Sequence, residues 1–376
     1  MILEEVMKKT KVLLMYITEV SGHHQATLAI EKSLQLLNPA LEIRNINGFS
    51  YTYPIMEKVI NKAYMGVIKR TPRVWDYLYD NPKIVAQTQR IKERIQKANH
   101  AKFQKLFEQF QPQTIACTQA FPCGLVAHYK TAYNLNFRLI GVLTDYAPHS
   151  YWIHEGIDYY IVPCEEMKRR LVEKGVDPQR IKPLGIPIDP KFSIAQDKEK
   201  IFRKLGLDAD TPVILIMGGG HGLGPIKDIV RSLNKLTTKF QMIVLAGKNK
   251  RLVKWLHKKT SKITKKMIVY QFADNVEELM AIASLAITKP GGITTAEALV
   301  KGLPMVIVRP IPGQEMHNTQ FLLEQGVAIK VKRLSDIGPQ INELLIDAKR
   351  LAEMERLARA HGKPHAALDV AKLILE

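Results

Sequence analysis

AITKPGGITTAEALVKGLPMVIVRPIPGQEMHNTQ, residues 286–320, holds the pattern on which the fold turns. It predicts a strand from Leu285 to Thr288, a turn at Gly291-Gly292 and a helix from about Thr294. A second strand from Met305 to Val308 follows, then a second turn that opens a second helix. A strand that runs through a glycine turn into a helix aims backbone N–H groups and the positive end of a helix dipole at one point, a geometry that binds phosphate. Glu297 stands one turn into the first helix, and the second turn delivers Gln314, Glu315 and Asn318 at a helix start. A carboxylate able to accept from two vicinal hydroxyls, with amides beside it, suits a sugar nucleotide. A plainer alternative accompanies each feature. Thr294-Thr295-Ala296-Glu297 also has the spacing of a capping box, and Gln314-Glu315 is also what a solvated first helical turn selects.

Upstream, Val213 to Met217 predicts a strand that closes on Gly218-Gly219-Gly220-His221-Gly222-Leu223-Gly224, with a helix from about Ile226. These glycines miss the G-x-G-x-x-G spacing, and no acid follows at ribose distance, so a dinucleotide site is disfavoured. Glycines at a strand–helix junction still bring backbone N–H groups close to a phosphate. Asp208-Ala209-Asp210 is a D-x-D pair of the kind that can hold a divalent metal. Thr211-Pro212 follow it directly, and the pattern reads as a turn.

The first half of the chain repeats the strand–helix alternation. Lys11 to Thr18 predicts a strand, Ser21-Gly22-His23-His24 a turn, and Gln25 to Leu37 a helix. A histidine at the carboxyl end of a first strand sits where open α/β sheets place ligands, although a turn histidine can equally be structural. Strands follow at Glu42–Asn47, Thr114–Thr118, Phe137–Thr144, Ile157–Val162 and Arg180–Leu184. Phe121-Pro122-Cys123-Gly124 breaks into one of the intervening helices. Asp145, His149 and Trp152 trail the strand that ends at Thr144, and Asp145 by itself would serve as a satisfied loop carboxylate. Gly185-Ile186-Pro187-Ile188-Asp189-Pro190 is a proline-rich crossing after which the pattern restarts. The fold class is α/β, with parallel, doubly wound sheets.

The chain has 376 residues, enough for two domains, and a formal net charge of +19. Such a charge points to an acidic partner, either nucleic acid or an anionic membrane face. No zinc-finger spacing, aromatic RNA-binding strand or helix-turn-helix pattern accompanies it. The three cysteines form no C-x-x-C, which suits reduced thiols in the cytosol. The apolar run VLLMYI is too short for a signal peptide and no run approaches a membrane span. Phe49 to Tyr79 is dense in aromatic and basic residues, among them Lys69, Arg70, Arg73 and Trp75. Such a segment can lie at a lipid interface or pack on the sheet. A long basic helix is predicted from Lys83 to Phe110. Ile229 to Ala273 contains no acid and many lysines, as a solvated face or an anionic-surface contact would.

KPGGITTAEAL followed by PIPGQEMHN resembles the donor-sugar signature of family 28 glycosyltransferases, in the diacylglycerol glucosyl- and galactosyltransferase (monogalactosyldiacylglycerol synthase-like) branch, and the likeness extends over nearly the whole chain. It implies the GT-B architecture, two Rossmann-like doubly wound domains facing across a cleft. Residues 1–188 would bind the acceptor, with a C-terminal helix at 363–376 packing back on them, and residues 189–362 would bind the UDP-sugar donor. The implied reaction is inverting transfer of a hexose, glucose favoured, from a UDP-sugar to diacylglycerol. No metal or cofactor and no nucleic acid would be needed. The enzyme would be cytoplasmic and peripheral on the anionic inner face of the cell membrane.

The resemblance also implies residue roles. Gly22-His23 matches the family's Gly-His, so His23 would be the catalytic base, with Asp145 next in line. Asp145, His149 and Trp152 match a family element on the acceptor side, and Lys69, Arg70, Arg73 and Trp75 fall in the segment of its lipid entry. N–H groups of Gly219, Gly220, Thr294 and Thr295 would meet the diphosphate. Glu297 would hold the ribose, and Gln314, Glu315 and Asn318 would address the sugar hydroxyls. A peptidoglycan-type N-acetylglucosaminyl transferase acting on a polyprenyl-linked acceptor would use the same fold and loops. A sugar-nucleotide epimerase would need carboxylate chemistry where the first turn offers histidines. A basic nucleic-acid or membrane binding protein without catalysis would need neither donor turn.

Overall fold

The computed structural model describes residues 10–19, 21–48, 51, 102–259 and 262–376. Lys69, Arg70, Arg73 and Trp75, the aromatic-basic segment around them and the first part of the predicted basic helix lie outside the described residues; residues 102–110 are helical. The chain divides into two compact units, Met1–Pro190 with His365–Glu376, and Lys191–Pro364.

The first unit is built on a six-stranded sheet of β1 (Lys11–Tyr16), β2 (Glu42–Asn47), β3 (Thr114–Cys117), β4 (Arg138–Val142), β5 (Tyr159–Ile161) and β6 (Ile181–Lys182). Its order is β2-β1-β3-β4-β5-β6, every pair parallel. Val12, Leu13, Leu14 and Met15 are all fully buried, because a parallel sheet covered on both faces needs an unbroken apolar run. From β1 the chain goes to one side for β2 and to the other for β3, which leaves a topological switch between β1 and β3.

Residues 121–124, predicted as a break, belong to the first turn of the helix Ala120–Ala132. Gln119 caps that helix by accepting from the Phe121 N–H (2.6 Å), and Pro122 occupies a position whose missing N–H costs no hydrogen bond.

The final helix, Ala366–Leu375, joins the core of this unit. Val370, Ala371, Leu373 and Ile374 pack with Val12, Leu14, Ile30, Leu34, Ala116 and Ile140. Its last carbonyls, which have no intrahelical partner, are met by the sheet: Thr114 Oγ1 donates to the Ile374 carbonyl (3.2 Å) and Arg138 Nη1 to that of Leu373 (3.0 Å).

The second unit carries β7 (Val213–Met217), β8 (Gln241–Leu245), β9 (Met267–Tyr270), β10 (Leu285–Thr288), β11 (Met305–Val308) and β12 (Ala328–Val331). β7 is central, with β8 and β9 on one side and β10, β11 and β12 on the other, all parallel. This is the Rossmann order, and its switch lies between β7 and β10. Ile214, Ile216, Val244, Ile287 and Val306 pack with Ile229, Leu233, Leu252, Leu256 and Ile341 from the covering helices.

The helix after β10 spans Gly292–Lys301, three residues earlier than the capping-box alternative requires. Its N-cap is Gly291, with no side-chain cap, and Thr294 is already its third residue. That alternative is therefore wrong: the turn closes on glycine, whose lack of a side chain leaves the helix start open.

Because the final helix is anchored through apolar burial, Ile374→Ala, at a site 1% exposed, should lower stability by about 2–5 kcal/mol. Leu36→Ala, at a site 71% exposed, should change it by less than ~0.5 kcal/mol. Urea unfolding midpoints of the two variants check this; equal midpoints would mean that the helix contributes nothing to the fold.

Candidate functional site

Both turns named in the second unit leave the carboxyl ends of the two strands that flank its switch, β7 and β10. The loop after β7 folds back on itself, with the Gly222 N–H on the Gly219 carbonyl (2.9 Å) and the Leu223 N–H on that of Gly218 (2.8 Å). It is pinned to the turn after β8 by the Lys248 N–H on the Gly220 carbonyl (2.9 Å) and by Asn249 Nδ2 on that of Gly222 (3.1 Å). Gly222 has φ 58°, and a Cβ there would lie 1.9 Å from the Ala246 carbonyl oxygen, so no other residue fits. Gly219 and Gly220 are exposed at the crest of the loop.

On the neighbouring turn the helical ladder starts when the Thr295 N–H bonds the Gly291 carbonyl (2.9 Å). Thr295 was expected to offer that N–H to an anion; the helix itself takes it. The amides ahead of it, Gly292, Ile293 and Thr294, are those a helix leaves without an intrahelical partner. The Thr295 side chain is fully buried and its hydroxyl has no hydrogen-bond partner. Thr294 and Glu297 are half-buried, Glu297 in the second helical turn.

Gln314, Glu315 and Asn318 come from the helix Gln314–Glu324, which follows Gly313 at φ 88°. Two of the three differ from their expected role. Glu315 pairs through Oε1 with Lys289 Nζ (2.8 Å) and accepts through Oε2 from the Ile311 N–H (2.7 Å), so both oxygens face protein. Asn318 is fully buried and donates from Nδ2 to the Pro290 carbonyl (2.9 Å). These side chains lash the second turn to the first instead of presenting themselves to a sugar. Gln314 is half-buried at the helix start.

In the first unit, three adjacent strand ends converge on His23. It follows β1, Thr118 follows β3, and Thr144 lies just past β4. His23 Nδ1 is 2.8 Å from the Thr118 carbonyl oxygen and 2.9 Å from Thr144 Oγ1. A carbonyl only accepts, so Nδ1 carries the hydrogen and Nε2 holds the lone pair. Burial lowers the pKa of His23 to about 4, with the bond to Thr118 opposing the shift. The Thr118 hydroxyl also donates to the His23 carbonyl (2.9 Å). Sequence reasoning missed Thr118 and Thr144; their positions just beyond the carboxyl ends of parallel strands were the available signal.

His24, by contrast, turns back. Its ring stacks on Tyr16 with centroids 4.0 Å apart, and its Nδ1 is 2.9 Å from the Glu19 carbonyl. Asp145 and His149 are half-buried, and His149 sits beside the rings of Tyr151 and Trp152. Trp152 was expected on the acceptor side. It is 4% exposed and packs over Gly141 of β4, where a Cβ would lie 3.4 Å from its ring, so it is a core residue.

Asp208 of the D-x-D pair accepts from the Thr211 hydroxyl and from the Asp210 N–H (3.1 Å), and it pairs with Lys239 (3.2 Å). Its carboxylate is thus engaged in the turn. The helix Lys250–Lys259 buries Leu252 and Leu256 in the core. Its opposite side exposes Arg251, Lys254 and Lys258, none of which forms an ion pair among the described residues. Lys227 and Arg231 extend this basic face, standing 5.5 and 5.0 Å over the Trp255 ring. Among the described residues no helix is long and apolar enough to cross a membrane.

Residues 23–188 match the family model for monogalactosyldiacylglycerol (MGDG) synthase, and residues 213–370 match that for the glycosyltransferase family 28 C-terminal domain. A processive diacylglycerol beta-glucosyltransferase of Bacillus licheniformis is 35% identical over 262 residues, 69% of this chain and 67% of that protein. One of the same name from Bacillus subtilis is 29% identical over 348 residues, 92% of this chain and 90% of that protein.

Among solved structures, MurG of Acinetobacter baumannii matches with a TM-score of 0.64 at 15% identity, covering 97% of this chain and 99% of that one. The calicheamicin glycosyltransferase CalG4 matches at 0.63 and 13% identity, covering 98% and 99%. A UDP-GlcNAc 2-epimerase from Neisseria meningitidis matches at 0.61 and 15% identity, covering 97% and 100%, so the fold alone does not separate transfer from epimerisation. Both halves of the chain and the relatives that span it agree: this protein is a glycosyltransferase of GT-B fold and belongs to family 28, in its diacylglycerol branch.

Proposed function

We propose that this enzyme transfers a hexose, glucose in preference to galactose, from a UDP-sugar to the hydroxyl of diacylglycerol, with inversion and without a divalent metal. The observation that carries the reading is His23. It is an imidazole held neutral in one tautomer at a topological switch, with Nε2 as the basic nitrogen. The names of the relatives supply the lipid acceptor and glucose, and they favour diacylglycerol over the polyprenyl-linked acceptor of a peptidoglycan-type enzyme.

In this scheme Nε2 of His23 takes the proton of the acceptor hydroxyl as its oxygen attacks the anomeric carbon. The bond from that carbon to the diphosphate breaks, and UDP leaves with the electron pair. Gly219, Gly220 and the first amides of the helix Gly292–Lys301 meet the charge that develops on the diphosphate. Glu297 accepts from the ribose hydroxyls, and Gln314 addresses the hexose. Glu315 and Asn318 hold the turn that makes this possible. Metal independence draws support from the engagement of Asp208 in its turn. The enzyme works from the cytoplasmic side as a peripheral protein on an anionic bilayer. The net charge of +19 and the basic face of Arg251, Lys254 and Lys258, without ion pairs among the described residues, support that placement, and no nucleic acid is required.

The deciding assay offers UDP-glucose, UDP-galactose and UDP-N-acetylglucosamine to the purified protein with diacylglycerol in vesicles, in the presence of EDTA. A β-linked glucosyl-diacylglycerol is expected, formed faster on anionic than on neutral vesicles. Turnover confined to the N-acetylated sugar would overturn the donor and acceptor proposed. Loss in EDTA restored by magnesium or manganese would return Asp208 and Asp210 as metal ligands.

His23→Ala should slow turnover by at least ~100-fold with UDP affinity unchanged. In the parent the base is lost only below its pKa, so the acid limb of kcat/KM should fall near pH 4. A limb near the ordinary histidine value of about 6.5, or parent-like turnover of the variant, would shift the role to another group, with Asp145 first.

Glu297→Gln should weaken UDP binding by about tenfold, the loss of a charge-assisted acceptor. The melting temperature should stay unchanged, since the helix already starts at Gly292. Reduced stability with intact UDP affinity would give Glu297 a structural role instead.

A further inference from the structure

We propose that Thr144 is a positioning residue for the base: its hydroxyl oxygen takes a second branch of the Nδ1–H bond whose tautomer the Thr118 carbonyl fixes, and so holds the ring with its lone pair on Nε2 and supports the charge that arrives there. The proposal rests on the assignment of His23 as base.

The geometry leaves one consistent assignment of hydrogens. The carbonyl oxygen of Thr118 lies 2.8 Å from Nδ1 and can only accept. Were Nδ1 to hold the lone pair, two acceptors would face each other at hydrogen-bonding distance inside a buried site. Nδ1 therefore donates, and Thr144 Oγ1, 2.9 Å from the same nitrogen, accepts the second branch of a shared hydrogen bond. Thr118 and Thr144 are 0% and 5% exposed, so water does not readily replace either oxygen. Thr118 is itself fixed, its N–H on the Met15 carbonyl (3.0 Å) and its hydroxyl on the His23 carbonyl (2.9 Å).

The two oxygens matter most when the proton arrives. Once Nε2 has taken the proton from the acceptor hydroxyl, the ring is a half-buried cation, and the Thr118 carbonyl favours its charged form. The negative ends of the Thr118 and Thr144 dipoles then stabilise it in place of a charge. His24 and Glu19 are turned towards Tyr16, and Tyr146, next to Asp145, is held protonated by burial. A neutral pair of acceptors gives a base that stays unprotonated at physiological pH yet still gains from its neighbours during the reaction.

The test compares Thr144→Val, which keeps the branched shape but removes the oxygen, with Thr144→Ser, which keeps the oxygen. Each is assayed for turnover against pH and for UDP affinity, with His23 observed by 15N NMR. Thr144→Val should lose about five- to tenfold in kcat, as for one hydrogen bond, with an unchanged UDP Kd. Its His23 nitrogens should keep the Nδ1–H tautomer, which the Thr118 carbonyl fixes, and its acid limb should move lower. Thr144→Ser should restore both the acid limb and most of the rate. Parent-like kcat with a parent-like acid limb in Thr144→Val would overturn the proposal. So would a Thr144→Ser as slow as Thr144→Val, which would assign the effect to methyl packing. Neither outcome touches the role of His23, which falls only if His23→Ala retains parent turnover.

Discussion

The largely buried ion pair between Lys289 and Glu315 is the contact on which the second unit's site depends. Lys289 leads the turn after β10, while Glu315 opens the helix after β11. Glu315 also accepts from the Ile311 N–H, and Asn318 one turn on holds the Pro290 carbonyl. Two loops that would otherwise move independently become one piece. The arrangement explains why a glycine turn can be left without a side-chain cap at Gly291: the neighbouring loop holds its shape instead. A charge pair this sheltered is costly to break, because either partner left alone would be a desolvated charge.

A comparable logic operates at His23. The order β1-β3-β4 brings three strand ends side by side, so that groups far apart in the chain meet on one imidazole. Burial then sets the chemistry. Removing the ring from water disfavours its charged form and drives the pKa to about 4, and the bond to the Thr118 carbonyl recovers only part of that loss. A histidine left in solvent would be partly protonated near neutrality, and to that extent useless as a base.

Charge is segregated on the second unit in the same physical manner. The helix Lys250–Lys259 uses Leu252 and Leu256 to hold itself to the sheet and turns Arg251, Lys254 and Lys258 outward without counter-ions among the described residues. Repulsion among such unpaired cations is relieved when an anionic surface neutralises them.

The sequence by itself determined the fold class, because strand–helix alternation and unbroken apolar strands such as Val12–Met15 follow from local chemistry and periodicity. It also determined the family, through KPGGITTAEAL and PIPGQEMHN, and the D-x-D as a turn, through Thr211-Pro212. Tertiary structure alone decided which side chains are available for chemistry. Glu315 and Asn318 have the composition of sugar ligands, but their direction depends on a loop 26 to 28 residues away. Trp152 reads as an acceptor-side aromatic until the fold shows it buried against β4. His23 and His24 are adjacent and identical in type; only the positions of Thr118, Thr144 and Tyr16 make one a candidate base and the other a packing residue. Spacing along a chain specifies where a turn falls, whereas burial and partner depend on strand order in the sheet, which no short motif encodes.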